Sequence, residues 1–125
     1  MNKIKLLNAL KQFLDVTVKI DVALNDVILY AALSKLFETA IEYCWKYFKS
    51  IAEAEGYDVQ SPRDAIRYAA KLNIIDNLEL WLQFLTDRNH AVHDYFGLPP
   101  AEYLKTMKAF AFEVAKLKLQ IESNS

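Results

Sequence analysis

The chain has 125 residues, with 15 Lys and Arg against 16 Asp and Glu, for a formal net charge of -1. This length suits one domain, residues 1–125, with a core large enough to fold without disulfides or metal, and the near-neutral balance excludes a protein that coats nucleic acid through bulk charge. No stretch approaches the roughly 18 consecutive apolar residues of a membrane span, and the N-terminus lacks a signal-peptide pattern. The single Cys44, set in an apolar helical pattern, reads as a buried structural thiol in a reducing, cytoplasmic setting.

Residues 3 to about 22 place Leu6, Leu10, Phe13, Leu14 and Thr17 near helical spacing, which predicts a first helix. Val16 to Ile20 alternates like a strand, but no second strand candidate exists to pair with it, so it is read as helical. Asn25 or Asp26 can cap a second, longest helix, whose apolar series Leu29, Leu33, Leu36, Phe37, Ala40, Cys44, Tyr47, Phe48, Ile51 runs to Gly56. Ser61-Pro62 is a start signal for a short helix through about Lys71. That helix carries Arg63, Arg67 and Lys71 at four-residue spacing, a basic ridge that is either a solvated face or a contact for phosphate or an acidic partner.

Asp76 and Glu79 have capping-box spacing and begin a helix through Leu78, Trp81, Leu82 and Leu85, which Gly97 ends. Pro100 opens the last helix, where Tyr103, Met107, Phe110, Val114, Leu117 and Ile121 form a packing seam. Four long helices, one short helix and short connections predict an all-α fold, an antiparallel up-and-down helical bundle. Hydrophobic residues make up 54% of the chain, and seven Tyr, seven Phe and two Trp are more than one small core readily hides, which predicts a subunit interface.

The chemistry is concentrated in Arg88-Asn89-His90-Ala91-Val92-His93-Asp94-Tyr95, which holds both histidines of the chain. On a helix Asn89 and His93 share a face, while Arg88 and His93 stand roughly 140° apart and can flank one cleft. The histidines, with Asp87 and Asp94, match no zinc signature, so neither metal nor cofactor is expected. The only glycines, Gly56 and Gly97, form no phosphate loop, which sets aside nucleotide enzymes of the P-loop or Rossmann kind. Arg88 and His93 are residue types suited to cleaving RNA without metal, the histidine moving a ribose proton and the arginine holding the phosphate. From residue types alone the alternative stands equally: Arg88 and Asn89 close the last turn, and His93 is an interface histidine.

Arg88-Asn89, His93-Asp94-Tyr95, Phe37-Glu38 with Glu42, Trp45-Lys46, Gly56, Ser61-Pro62-Arg63, Ala69-Ala70 and Trp81-Leu82 together resemble HEPN domains over residues 28–110. The likeness is to the nucleotidyltransferase substrate-binding branch, small helical proteins paired with minimal nucleotidyltransferases. The resemblance implies a homodimer in which the motif formed by Arg88 and, after four residues, His93 faces its counterpart in the other copy, and a metal-independent ribonuclease toxin site of Arg88, Asn89 and His93. It also implies that the partner enzyme transfers AMP to Tyr95 and silences the toxin. His90 lies in the variable segment, inherits no role and is expected at solvent or an interface. The competing expectation is a non-catalytic subunit that binds a nucleotide or other acceptor for the partner.

Overall fold

The computed structural model describes residues 3–93 and 97–124, with the backbone alone at Val92 and His93. Five α-helices and one 3-10 segment form an all-α bundle, with no strand among the described residues. The helices are α1 (Lys3–Thr17), α2 (Val27–Ala54), α3 (Pro62–Lys71), α4 (Leu78–His93) and α5 (Pro100–Ser123). α2 is the longest at 28 residues, on the order of 40 Å at 1.5 Å per residue.

The first helix is shorter than its apolar pattern suggested, because the β-branched run from Val16 cannot propagate it. The Thr17 hydroxyl donates to the Leu14 carbonyl at 2.8 Å, the α-turns stop, and Ile20–Asn25 winds as a 3-10 helix instead. Asp26 then caps α2, accepting the Leu29 N–H at 3.0 Å. Gly56, at φ +92°, ends that helix: its N–H reaches the Glu53 carbonyl and the Tyr57 N–H reaches Ala52, the paired bonds of a Schellman turn. Asn73, at φ +61°, closes α3 through the same pattern, with its N–H on Ala70 and that of Ile74 on Ala69. Ser61 caps α3 as expected, accepting from Asp64 N–H at 3.1 Å with Pro62 in the first turn.

α4 begins one residue later than the Asp76–Glu79 spacing predicted. Asn77 is the cap, accepting from Leu80 N–H at 3.2 Å, while Asp76 turns to the Lys116 ammonium at 3.5 Å. The Gly97 boundary falls beside residues outside the described range, and Pro100 opens α5.

α5 packs against α1 and α4, and its seam is buried throughout, from Tyr103 to Ile121. Phe110 is the hub of the core. Its ring meets Phe13 of α1, Phe37 of α2, and Trp81 and Phe84 of α4 edge-on, with centroids 4.9–5.7 Å apart. Tyr103, two turns before Phe110, continues the stack onto Phe37 at 5.5 Å. The polar end of the core begins at its hydroxyl. Cys44 is fully buried, and burial raises its thiol pKa. No helix among the described residues is long and apolar enough to cross a membrane.

Candidate functional site: a polar corner between α2, α4 and α5

α4 buries an acid immediately before Arg88. The Asp87 carboxyl, 6% exposed, accepts from Gln83 Nε2 at 2.7 Å and from the Thr106 hydroxyl at 2.6 Å. Gln83 lies one turn back on α4 and Thr106 lies on α5, so a single side chain ties the two helices together beside the motif. A buried polar group without such partners would cost about 1–3 kcal/mol. The Thr86 hydroxyl accepts from Arg63 Nη2 at 2.7 Å, which fixes α3 to the same turn of α4.

Of the basic ridge on α3, Arg67 and Lys71 lie on a solvated face, while Arg63 is half-buried against α4. Arg63 is spent on Thr86, Arg67 pairs with Asp64 at 3.2 Å, and Lys71 lies over the Tyr57 ring at 4.7 Å. Each cation has a different neighbour, because four-residue spacing drifts around a helix and α3 is packed on both α2 and α4.

Arg88 is half-buried, its side chain 25% exposed. Nη1 donates to Asn89 Oδ1 at 3.2 Å, and Nη2 lies 3.9 Å from Glu42 Oε2 on α2. The other oxygen of Glu42 is 3.1 Å from Lys46 Nζ, one turn further along α2. Two cations therefore converge on one carboxylate. Both Glu42 and Lys46 are substantially exposed and the Arg88 contact is long, so these pairs stabilise the fold little. An oxyanion arriving from solvent can compete with Glu42 for the same two cations.

Tyr103 of α5, buried against Phe37 of α2, feels the charges of this cluster. Burial raises its pKa, with Glu38, Tyr30 and Asp87 acting in the same direction and Arg88 opposing them. The phenol is therefore neutral at physiological pH and available as a donor.

Of the residues singled out from sequence, Arg88 and Asn89 are brought together directly. α4 extends through His93, so Arg88, Asn89 and His93 lie on one continuous helix, while the His93 side chain and Tyr95 lie outside what is described. His90 is exposed, as expected for a residue without an assigned role. Asp87, weighed only as a metal ligand, is committed to Gln83 and Thr106. Sequence reasoning missed the contributions of Gln83, Thr106 and Tyr103. The one available signal was an acid placed between buried Leu85 and the motif, with an amide one turn earlier.

An all-helical bundle with a cation-bearing polar corner at the junction of three helices places this chain among small all-α bundle proteins. The chain belongs to the family described as nucleotidyltransferase substrate binding protein like, whose sequence profile matches residues 2–123. A search of the curated proteins found no match.

Proposed function

We propose that this chain is the HEPN subunit of a two-component module with a minimal nucleotidyltransferase, and that it cleaves RNA without metal at Arg88, Asn89 and His93. The observation that supports this reading is the corner itself: a partly exposed guanidinium on the same helix as His93, held beside a replaceable carboxylate. In the proposed reaction His93 takes the proton of a ribose 2′-hydroxyl, and the 2′-oxygen attacks the adjacent phosphorus. The 5′-oxygen leaves with a proton taken from water, and His93 returns its own proton to solvent, which gives a cyclic phosphate and a 5′-hydroxyl. Arg88 carries the charge that builds on the phosphoryl oxygens, and Asn89 orients it. Two copies pair with their motifs facing each other, and the partner enzyme regulates the site by transferring AMP to Tyr95.

The test is RNA cleavage by the purified protein in chelator, with His93→Ala as control. Cleavage that persists in chelator and disappears in the variant is the expected result; equal cleavage by parent and variant overturns the role of His93. A second reading draws on the family description: the same corner binds a nucleotide or acceptor for the partner and performs no chemistry. It expects Arg88-dependent ligand binding and intact RNA.

A further inference from the structure

Two buried polar atoms at this corner have no hydrogen-bond partner among the described residues: Arg88 Nε and the Tyr103 hydroxyl. Native interiors rarely leave such groups unmatched, and each invites an explanation. Both belong to one place. Arg88 follows Asp87, which accepts from Thr106, and Thr106 lies one turn from Tyr103 on α5. The Tyr103 ring rests on Phe37, beside Glu38, and one turn along α2 from Glu38 is Glu42, which faces Arg88. Tyr103 is 2% exposed, so solvent does not satisfy its hydroxyl.

The geometry of the guanidinium makes the vacancy specific. Nε and Nη2 form the edge that grips carboxylates and phosphates through two parallel bonds. Among the described residues, Nη2 meets on that edge the 3.9 Å approach of Glu42, and Nε meets no acceptor. The fork thus has no acceptor within hydrogen-bond range among the described residues, and the neutral Tyr103 hydroxyl, which the Arg88 charge reaches, is the other unmatched group of this corner.

We propose that Tyr103 is an oxyanion-binding residue, whose hydroxyl joins the Nε–Nη2 edge of Arg88 in holding a phosphate group of the ligand. One phosphate oxygen accepts from Tyr103 and Nε, and a second takes the position of the Glu42 carboxylate on Nη2. The inference rests on the reading of Arg88 as a phosphate anchor and adds the inner donor that completes it. The bare protein leaves a buried hydroxyl unmatched and gains the missing bond when the anion binds.

The experiment is a titration with inorganic phosphate, following the Arg88 Nε–H resonance by NMR, on the parent, Tyr103→Phe and Arg88→Ala. In the parent the Nε–H signal shifts and saturates. Tyr103→Phe binds phosphate about ten-fold more weakly, the loss of one hydrogen bond to a charged group. Its melting temperature is equal or higher, because an unmatched buried hydroxyl has been removed. A purely structural tyrosine would leave the affinity unchanged. Arg88→Ala abolishes binding, read from backbone resonances; binding at parental strength there refutes the phosphate reading of Arg88. If Arg88→Ala loses binding while Tyr103→Phe retains parental affinity, internal water alone matches the two atoms and the role of Tyr103 is refuted. An Nε–H signal unmoved by saturating phosphate in the parent overturns the proposal without any variant.

Discussion

Asp87 and Arg88 are neighbours in sequence with opposite environments. Asp87 is buried and saturated by Gln83 and Thr106, whereas Arg88 keeps part of its guanidinium open and one buried nitrogen unmatched. Asp87→Ala should therefore destabilise the fold by about 2 kcal/mol, the loss of the two charge-assisted hydrogen bonds that the carboxyl accepts from α4 and α5, as read from denaturant unfolding. Tyr103 gives a pH dependence of definite sign. Its folded-state pKa is raised above the ordinary value of 10.0, so unfolding releases its proton at alkaline pH. The stability it contributes is complete below about pH 10 and falls as the pH rises above that value. Thermal melts across the alkaline range should show a shallower decline in Tyr103→Phe than in the parent. Buried Cys44 titrates in the same direction, and its thiol should resist alkylation until the protein is unfolded.

Local signals account for most element boundaries. Asp26, Ser61-Pro62, Gly56 and the α5 seam were legible because each depends on chemistry within a few residues. The structure corrects the pattern where neighbours compete. Asn77 rather than Asp76 caps α4, and Asp76 lies instead 3.5 Å from Lys116, forty residues away. The end of α1 follows from a β-branched run that can be read as either helix or strand. Asn73 carries a left-handed turn that glycine would favour more. Gly56→Ala should cost about 1 kcal/mol, since a Cβ there meets nothing within 4 Å and only the backbone conformation is strained. Equilibrium unfolding checks that value. Arg88 and Asn89 were legible as part of a motif on one helix, but Asp87, Thr106 and Tyr103 join the site only through packing between α4 and α5, which linear spacing does not encode.

The aromatic hub links every long helix, so Phe110→Ala should cost roughly 3–5 kcal/mol, enough to bring a small bundle close to unfolding. Part of the apolar surplus read from composition lies at the surface. Val18, Phe112 and Leu119 border a groove of about 450 Å³ between α5 and the segment that follows α1. That groove is on the other flank of α5 from the side that meets α4. In the proposed homodimer the motif face is the contact, so Asn89→Leu with His93→Leu should shift sedimentation toward monomer while Phe112→Arg leaves it unchanged; the reverse pattern would assign pairing to the groove. Both functional readings share one requirement, that Arg88 holds the ligand, which in the ribonuclease reading is an RNA phosphate. Equilibrium binding of a short single-stranded RNA to the parent and to folded Arg88→Ala tests it most directly. The expected result is a loss of about ten-fold or more in the variant, diminishing as salt is raised. Equal affinity of the two proteins would contradict it.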